Sequence, residues 1–163
     1  GTSDFTLIGL PDKANPGAWS ELYEDKIARA KIEADRYEKI AEGIRKAKAE
    51  ALRNRYTLQV YEQTNNLQNY PVRLILALND YDTAKDETAR RAALETVAEV
   101  CDYFDVMRAD LESVYSEIRF MQQPEGFISD LNHHNHLASK TNNSDWWYYY
   151  EIPMIRKVRA WMK

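Results

Sequence analysis

Three histidines lie close together in the last third of the chain and are the residues best suited to bind a metal. His133, His134 and His136 follow Asp130 in a polar stretch, and imidazole ligands favour zinc or copper. Adjacent His133 and His134 would point apart in a helix or a strand, however, and no second ligand cluster accompanies them. We therefore expect these four residues to lie in a polar loop, with the histidines either on the surface or anchoring the loop by hydrogen bonds to backbone. The sequence predicts no bound metal and no other cofactor.

Paired carboxylates are the second feature with catalytic potential, because hydrolysis of a glycosidic bond uses two carboxyl groups that converge in a cleft. The candidate pairs are Asp86-Glu87, Glu95/Glu99 and Asp102/Asp105. Each lies in a helical context among charged neighbours, which favours solvated or helix-capping roles. The chain also has no glycine-rich phosphate loop and no Ser-His-Asp or Cys-His motif. We predict no catalytic residue in this chain.

Five consecutive aromatic residues, Trp146 to Tyr150, form the most unusual stretch of the sequence. Successive residues of a helix are about 100° apart, so one core cannot bury all five rings. Three interpretations remain open: the rings are covered by residues 127–143, they dock another domain, or they stack on sugars. Exposed aromatic residues are favourable interface anchors. The candidate interface residues are Trp146, Trp147, Tyr148 and Tyr149.

The composition limits the classes of protein to which the chain could belong. Its 163 residues are 44% apolar and 29% charged, which is typical of one globular domain. A net charge of −4 gives no general attraction to nucleic acid. The longest apolar run, Leu74 to Leu78, is too short to cross a membrane. Because the chain begins Gly1-Thr2-Ser3 without Met, we expect a piece of a longer protein.

Apolar residues at helical spacing predict the architecture of the first half. A stripe with a period of seven residues begins at Tyr23 and predicts a long helix from Trp19 to Leu52, with further helix up to a turn at Asn65-Asn66. A new helix is expected near Tyr70, because Pro71 is tolerated in a first turn. The residues after it are apolar on almost all sides, which indicates a short, buried helix.

The second half contains the clearest pattern in the chain. Apolar residues occupy two heptad positions throughout 87–121 and predict a core stripe that includes Val97, Val100, Phe104, Met107, Leu111 and Val114. Cys101 lies beside this stripe and is expected to be a small core residue. A long polar loop is predicted at 127–143. A last helix is expected from Asn143 or Ser144 to about Trp161, with a kink or break at Pro153.

Together these elements predict an all-α fold, an elongated bundle of three to four helices with long antiparallel helices and a long polar loop before the last one. Residues 1–18 are predicted to be an irregular lead-in, because they carry turn residues and show no periodicity. Residues 19–163 are predicted to form a single helical bundle domain.

One segment of the chain resembles a known enzyme family. Residues 131–138, Leu-Asn-His-His-Asn-His-Leu-Ala, followed by Ser144-Asp145-Trp146, are similar to the end of long bacterial family 20 glycoside hydrolases, the β-N-acetylhexosaminidases. Leu10-Pro11-Asp12, Pro16-Gly17 and Trp19-Ser20 resemble the segment that follows the catalytic barrel of these enzymes. The resemblance covers nearly the whole chain.

The resemblance implies an upstream (β/α)₈ catalytic domain in the same polypeptide, with an Asp-Glu pair at the end of a barrel strand. Asp86-Glu87 is the only Asp-Glu dipeptide here and lies at a predicted helix start, so no catalytic residue is carried over. The expected function is therefore a non-catalytic accessory domain of a glycan-degrading hydrolase, periplasmic or secreted, that packs on the catalytic domain or mediates homo-oligomers. The alternative is a freestanding helical protein-interaction module.

Overall fold

The computed structural model describes residues 8–117 and 151–163, and within these ranges the fold is all-α, without strands. Five helices follow one another along the described chain: α1 (Ala18–Leu22), α2 (Glu24–Glu50), α3 (Arg55–Asp82), α4 (Glu87–Ser116) and α5 (Glu151–Met162). The predicted all-α bundle is confirmed. The predicted polar loop at 127–143 lies outside the described residues.

Helix α3 is the centre of the bundle, because it packs along both α2 and α4. Contacts between α2 and α3 pair residues in opposite order along the chain, so the two helices are antiparallel. Near their connection, Lys48 Nζ lies 2.6 Å from Glu62 Oε2. Farther along, the Asn65 side-chain amide donates a hydrogen bond of 3.3 Å to the Tyr37 carbonyl oxygen.

Helices α3 and α4 form the second antiparallel pair and supply most of the core. The rings of Tyr70 and Phe104 pack with their centroids 4.9 Å apart, and the Arg73 guanidinium lies over the Tyr103 ring. The predicted α4 stripe is buried at all six positions: Val97, Val100, Phe104, Met107, Leu111 and Val114. Asp86 Oδ1 accepts a hydrogen bond of 2.7 Å from the Ala89 backbone N–H, so this carboxylate caps the start of α4, which is one of the two roles expected for the carboxylate pairs.

The predicted turn at Asn65-Asn66 is wrong, and so is the short separate helix after Tyr70. Helix α3 runs without interruption through both asparagines and through Pro71. Asn65 is tolerated because it is buried and its side-chain amide bonds to α2. Pro71 removes one backbone donor, but its ring is buried. The residues predicted to be buried here, including Leu74 and Leu78, are indeed buried.

The first long helix also differs from the prediction of continuous helix over Trp19 to Leu52 and beyond. Tyr23 separates α1 from α2, and its hydroxyl is used in packing against the preceding segment. The connection from α2 to α3 lies at residues 51–54, where Asn54 adopts a left-handed conformation with φ 60°. Asparagine is one of the few residues that adopt this conformation readily. Leu52 in this connection is 94% exposed.

Helix α5 packs against α4 at the end of the bundle that also carries residues 8–17 and α1. Pro153 is exposed within the first described turn of α5. The predicted start of this helix at Asn143 or Ser144 lies outside the described residues, as does the end of the predicted heptad pattern, residues 118–121. None of the helices in the described ranges combines the length and the apolar character needed to cross a membrane.

Candidate interaction surfaces

The candidate interface and the polar loop predicted from the sequence both fall outside the described part of the chain. This applies to the candidate interface, Trp146, Trp147, Tyr148 and Tyr149, and to the polar loop, Asp130, His133, His134 and His136. Their roles therefore stay predictions. Within 8–117 and 151–163, no group of three or more His, Cys, Asp and Glu residues could hold a metal ion.

A groove between α2 and α3 is a concave surface of the described bundle to which both helices contribute. It has a volume of about 330 Å³ and is lined by Arg36, Tyr37, Ile40, Ile44, Tyr61, Thr64, Asn65 and Gln68. We call it the α2–α3 groove. The groove arises because the half of α2 that lines it carries no fully buried residue. In the half nearer to α1, by contrast, Ile27 and Ala30 are buried.

Apolar surface continues from the groove around α2. Ile40 is shared with a shallower depression on the outer side of the helix, which includes Ile32 and Lys39. Ile32 is 70% exposed and Tyr61 is 58% exposed. Large apolar side chains left in water on one face are typical of an interaction surface.

Apart from Arg36, the polar side chains that line the groove are neutral hydrogen-bonding groups. The Tyr37 hydroxyl lies 3.4 Å from Gln68 Oε1, to which it donates. Partial burial, together with the nearby negative charge of Glu33, raises the pKa of Tyr37, so the phenol stays neutral at physiological pH. The described lining residues include no Asp, Glu, His or Cys. The groove can stack against and hydrogen-bond a partner, but its lining supplies no general acid or base.

A second feature, which we call the N-terminal anchor, fixes residues 8–17 on the bundle. The Trp19 indole N–H donates a hydrogen bond of 2.7 Å to the Gly9 carbonyl oxygen, and the Gly9 N–H donates one of 2.9 Å to the Tyr23 hydroxyl. From α5, the Trp161 indole N–H donates one of 2.9 Å to the Pro11 carbonyl oxygen. Ile8 and Pro11 are buried. A segment without helix or strand is thereby held by side chains from α1 and α5 and by Tyr23, which lies between α1 and α2.

Contacts between aromatic rings also stabilise the N-terminal anchor. The Trp161 ring meets Tyr81 edge to face with centroids 4.9 Å apart, and Lys13 Nζ lies 5.5 Å from the Trp161 ring centroid. The rings of Trp19 and Tyr23 are 5.2 Å apart. Such pairs contribute about 0.5–1.5 kcal/mol each beyond the area they bury. The anchor therefore joins the start of the described chain to α1, α3 and α5.

A hydrogen bond to the Asp82 carboxylate connects α1 to the end of α3. Its Oδ2 accepts a hydrogen bond of 2.8 Å from the Ser20 backbone N–H in the first turn of α1, where a helix leaves donors unpaired and favours negative charge. Asp82 is 2% exposed, and among the described residues its Oδ1 and the Ser20 hydroxyl have no hydrogen-bond partner. The contact positions α1, and with it the anchor residue Trp19.

Arg159 connects α5 to α4 through ion pairs and a hydrogen bond. Its guanidinium lies 2.6 Å from Asp105 Oδ2 and 3.1 Å from Asp102 Oδ1, and it also donates to the Cys101 carbonyl oxygen. The hydrogen bond to Asp105 is the main reason that the pKa of Arg159 is raised. Asp102 and Asp105, one of the carboxylate pairs identified in the sequence, thus take part in a structural contact between α4 and α5.

We expect Arg159→Leu to lower the free energy of unfolding by about 0.5–1 kcal/mol. The partners are partly exposed, so solvent screens the ion pairs. Chemical denaturation at low and high salt measures the effect, with Arg156→Leu as the control because Arg156 is exposed on the same helix. An equal loss in both variants would contradict the assigned contact.

Cys101 is a core residue, as predicted, and is fully buried next to the α4 stripe. Burial raises the pKa of its thiol to about 11, against which the nearby Arg159 charge acts only partly. The thiolate is the reactive form, so almost none is present at neutral pH.

We expect Cys101 to react with an aromatic disulfide reagent at pH 7.5 only after the protein unfolds. The absorbance of the released thiolate measures the reaction in native buffer and in denaturant. Rapid labelling of the native protein would show that the thiol is accessible to the reagent and would contradict the burial of Cys101.

The anchor is the feature that sequence reasoning missed, because residues 8–17 show no periodicity. One signal was present: Trp19 and Tyr23 are four residues apart and therefore lie on one helix face. Comparison of the chain with protein-family models, with curated proteins and with solved structures gave no match.

Proposed function

We propose that this chain is a non-catalytic helical accessory domain of a glycan-degrading hydrolase similar to the β-N-acetylhexosaminidases. In this proposal the catalytic domain lies upstream in the same polypeptide, which is periplasmic or secreted. The bundle packs on that domain or mediates homo-oligomers. The resemblance of residues 131–138 and of the segments around Leu10 and Trp19 supports the enzyme family.

The N-terminal anchor is the observation that carries the proposal. An upstream domain connects to this chain through its first residues, so its position depends on how residues 8–17 are held. Hydrogen bonds to Gly9 and Pro11 from Trp19, Tyr23 and Trp161 hold that backbone on the bundle. A flexible tether needs no such contacts, since Gly- and Ser-rich linkers serve for that purpose. The anchor is therefore suited to fixing the bundle against its neighbour.

The described residues favour a role in contact rather than in chemistry. The α2–α3 groove has no acidic lining residue, Cys101 is buried, and Asp86, Asp102 and Asp105 cap a helix or pair with Arg159. A bundle with these properties acts through the surfaces that it presents.

The experiment uses the longer polypeptide. The reading frame upstream of Gly1 is expected to encode a (β/α)₈ barrel with an Asp-Glu pair at a strand end. In that protein, replacement of Trp146, Trp147, Tyr148 and Tyr149 by Ser should lower the melting temperature of the barrel and leave turnover per folded molecule nearly unchanged. Leu52→Ser is the control, since Leu52 is exposed at the far tip of the α2–α3 hairpin.

A start codon immediately before Thr2 would contradict the proposal and favour the second candidate, a freestanding helical interaction module. The α2–α3 groove and the exposed Ile32 and Tyr61 are the observations that support this alternative. An unchanged barrel melting temperature in the fourfold variant would mean that the aromatic run does not dock the catalytic domain.

A further inference from the structure

The last part of α2 stands apart from the hydrophobic core. Ile27 and Ala30 of this helix are buried in the core, and Ala34 and Tyr37 pack against it from the side. Residues 38–50 contribute nothing to the core that the described residues form. We call this part of the helix, from just after Tyr37 to its last residue, the α2 lid.

Helix α3 offers the α2 lid no buried apolar partner. The buried residues of α3 that precede Tyr70 are Gln63 and Asn65, and both are polar. Asn65 bonds to the Tyr37 carbonyl oxygen, at the boundary where the lid begins. Ile40 of the lid remains 39% exposed and Tyr61 opposite it 58% exposed. Closure of the lid therefore removes little apolar surface from water, and it gains little stability from burial.

Polar contacts between the α2 lid and α3 are also few. Among the described residues, Lys48 with Glu62 is the one ion pair that joins the lid to another helix, with 2.6 Å between Nζ and Oε2. Both side chains are about one-third exposed, so solvent weakens the attraction between them. The other two ion pairs of the lid join residues within α2 and do not hold it on the bundle.

Gly43 weakens the α2 lid from within. Glycine in a helix interior is less favourable than alanine, because it loses more backbone freedom when the helix forms. The structure gives no steric reason for glycine here. Its φ is not positive, and a Cβ at this position would have no heavy atom within 4 Å outside the backbone of its own helix. Alanine would fit, so the glycine leaves this part of the helix easier to open.

We propose that the α2 lid opens by local unfolding while the rest of the bundle stays folded. Opening starts at the exposed connection, residues 51–54, and stops at Tyr37, where α2 meets the core. Segments with few buried apolar contacts open at a lower free energy than the core of the same domain. Ile40 and Ile44 of the lid form one wall of the α2–α3 groove, so the lid controls access to the α3 side of this groove.

This inference goes beyond the proposed function and does not depend on it. It rests on packing within the bundle, which is the same whether or not a catalytic domain lies upstream.

The first test is hydrogen exchange, followed by mass spectrometry, at increasing concentrations of denaturant. Amides of residues 38–50 should be at least tenfold less protected than those of residues 93–111, which carry most of the buried α4 stripe. Their exchange should also depend less on denaturant, because local opening exposes less surface than global unfolding.

A glycine exchanged for alanine inside the lid is compared with the reverse change outside it. Gly43→Ala should slow exchange of the lid about fivefold, which corresponds to about 1 kcal/mol. Ala28→Gly is the matched control, because Ala28 is exposed in the core-bound half of α2. It should speed exchange of residues 93–111 by destabilising the whole bundle, and leave exchange of the lid unchanged.

The contact that closes the α2 lid is tested with a second matched pair. Glu62→Gln should speed exchange of the lid about two- to fivefold, because it removes the charge that attracts Lys48. Glu112→Gln breaks an ion pair with Arg108 inside α4, and the Glu112 side chain is 31% exposed, as is that of Glu62. This control should leave exchange of the lid unchanged.

Three results would overturn the inference. Equal protection and equal denaturant dependence in residues 38–50 and 93–111 would mean that the bundle opens as one unit. The same conclusion would follow if Ala28→Gly sped exchange of the lid as much as exchange of the core. Unchanged exchange of the lid in Gly43→Ala would show that its opening does not unfold the helix around Gly43.

Discussion

Phe104→Ala should lower the free energy of unfolding by about 3–5 kcal/mol. The ring is 1% exposed and packs on Tyr70 where α3 and α4 meet. Removing it loses the transfer free energy of the ring and leaves a cavity that two long helices can close only in part. Because stability of a domain this size is about 5–15 kcal/mol, the loss is a large fraction of the total.

Chemical denaturation of the purified chain measures this effect. Val106→Ala is the matched control, since Val106 lies on the same helix with its side chain mostly exposed, and it should change stability by less than about 0.5 kcal/mol. A loss below about 1 kcal/mol for Phe104→Ala would show that the α4 stripe faces water.

Trp19→Ala should lower stability by a similar amount, about 3–5 kcal/mol, and should also release residues 8–17. The indole is buried, packs on Tyr23 and donates to the Gly9 carbonyl oxygen. Its loss removes the ring and leaves the Gly9 carbonyl without this donor. Denaturation measures the first effect, and hydrogen exchange at the Gly9 amide, which bonds to the Tyr23 hydroxyl, measures the second.

Trp161→Phe serves as the comparison for this variant. It keeps most of the ring packing on Tyr81 and removes only the hydrogen bond to the Pro11 carbonyl oxygen, so we expect a loss of about 1 kcal/mol. If Trp19→Ala left the exchange of the Gly9 amide unchanged, the anchor would not hold this segment.

The all-α class and the α4 core could be predicted because their signal is local and repeated. In α4, the residues from Val97 to Val114 alternate at three and four residues, which matches the helical period over the whole length. The burial of these side chains against α3 could be predicted from that pattern. A capping role was one of two expected for Asp86, because capping depends on residues within one turn.

The hairpin between α2 and α3 could not be placed from local propensity. Asn65 and Pro71 are poor helix residues, yet both lie inside α3, because the tertiary contact of Asn65 with Tyr37 and the burial of Pro71 outweigh a propensity difference of at most a few kcal/mol. The actual turn depends on the left-handed conformation of Asn54. The sequence around Asn54 is charged and carries no Gly or Pro to mark it.

The anchor and the groove depend on contacts between residues far apart in the chain. Trp161 reaches Pro11, and Tyr37 reaches Gln68, through hydrogen bonds that leave no periodic pattern in the sequence. The composition of the aromatic run is unusual, but composition alone does not identify what the rings contact.

We propose that this chain acts by contact and performs no hydrolysis. The most direct measurement is the release of the aryl group from an aryl N-acetylglucosaminide by purified residues 1–163, at high protein concentration and across pH 4–8. We predict no release above the buffer background. Turnover by this chain alone that a single point substitution within it abolishes would contradict the claim and place an active site in the bundle.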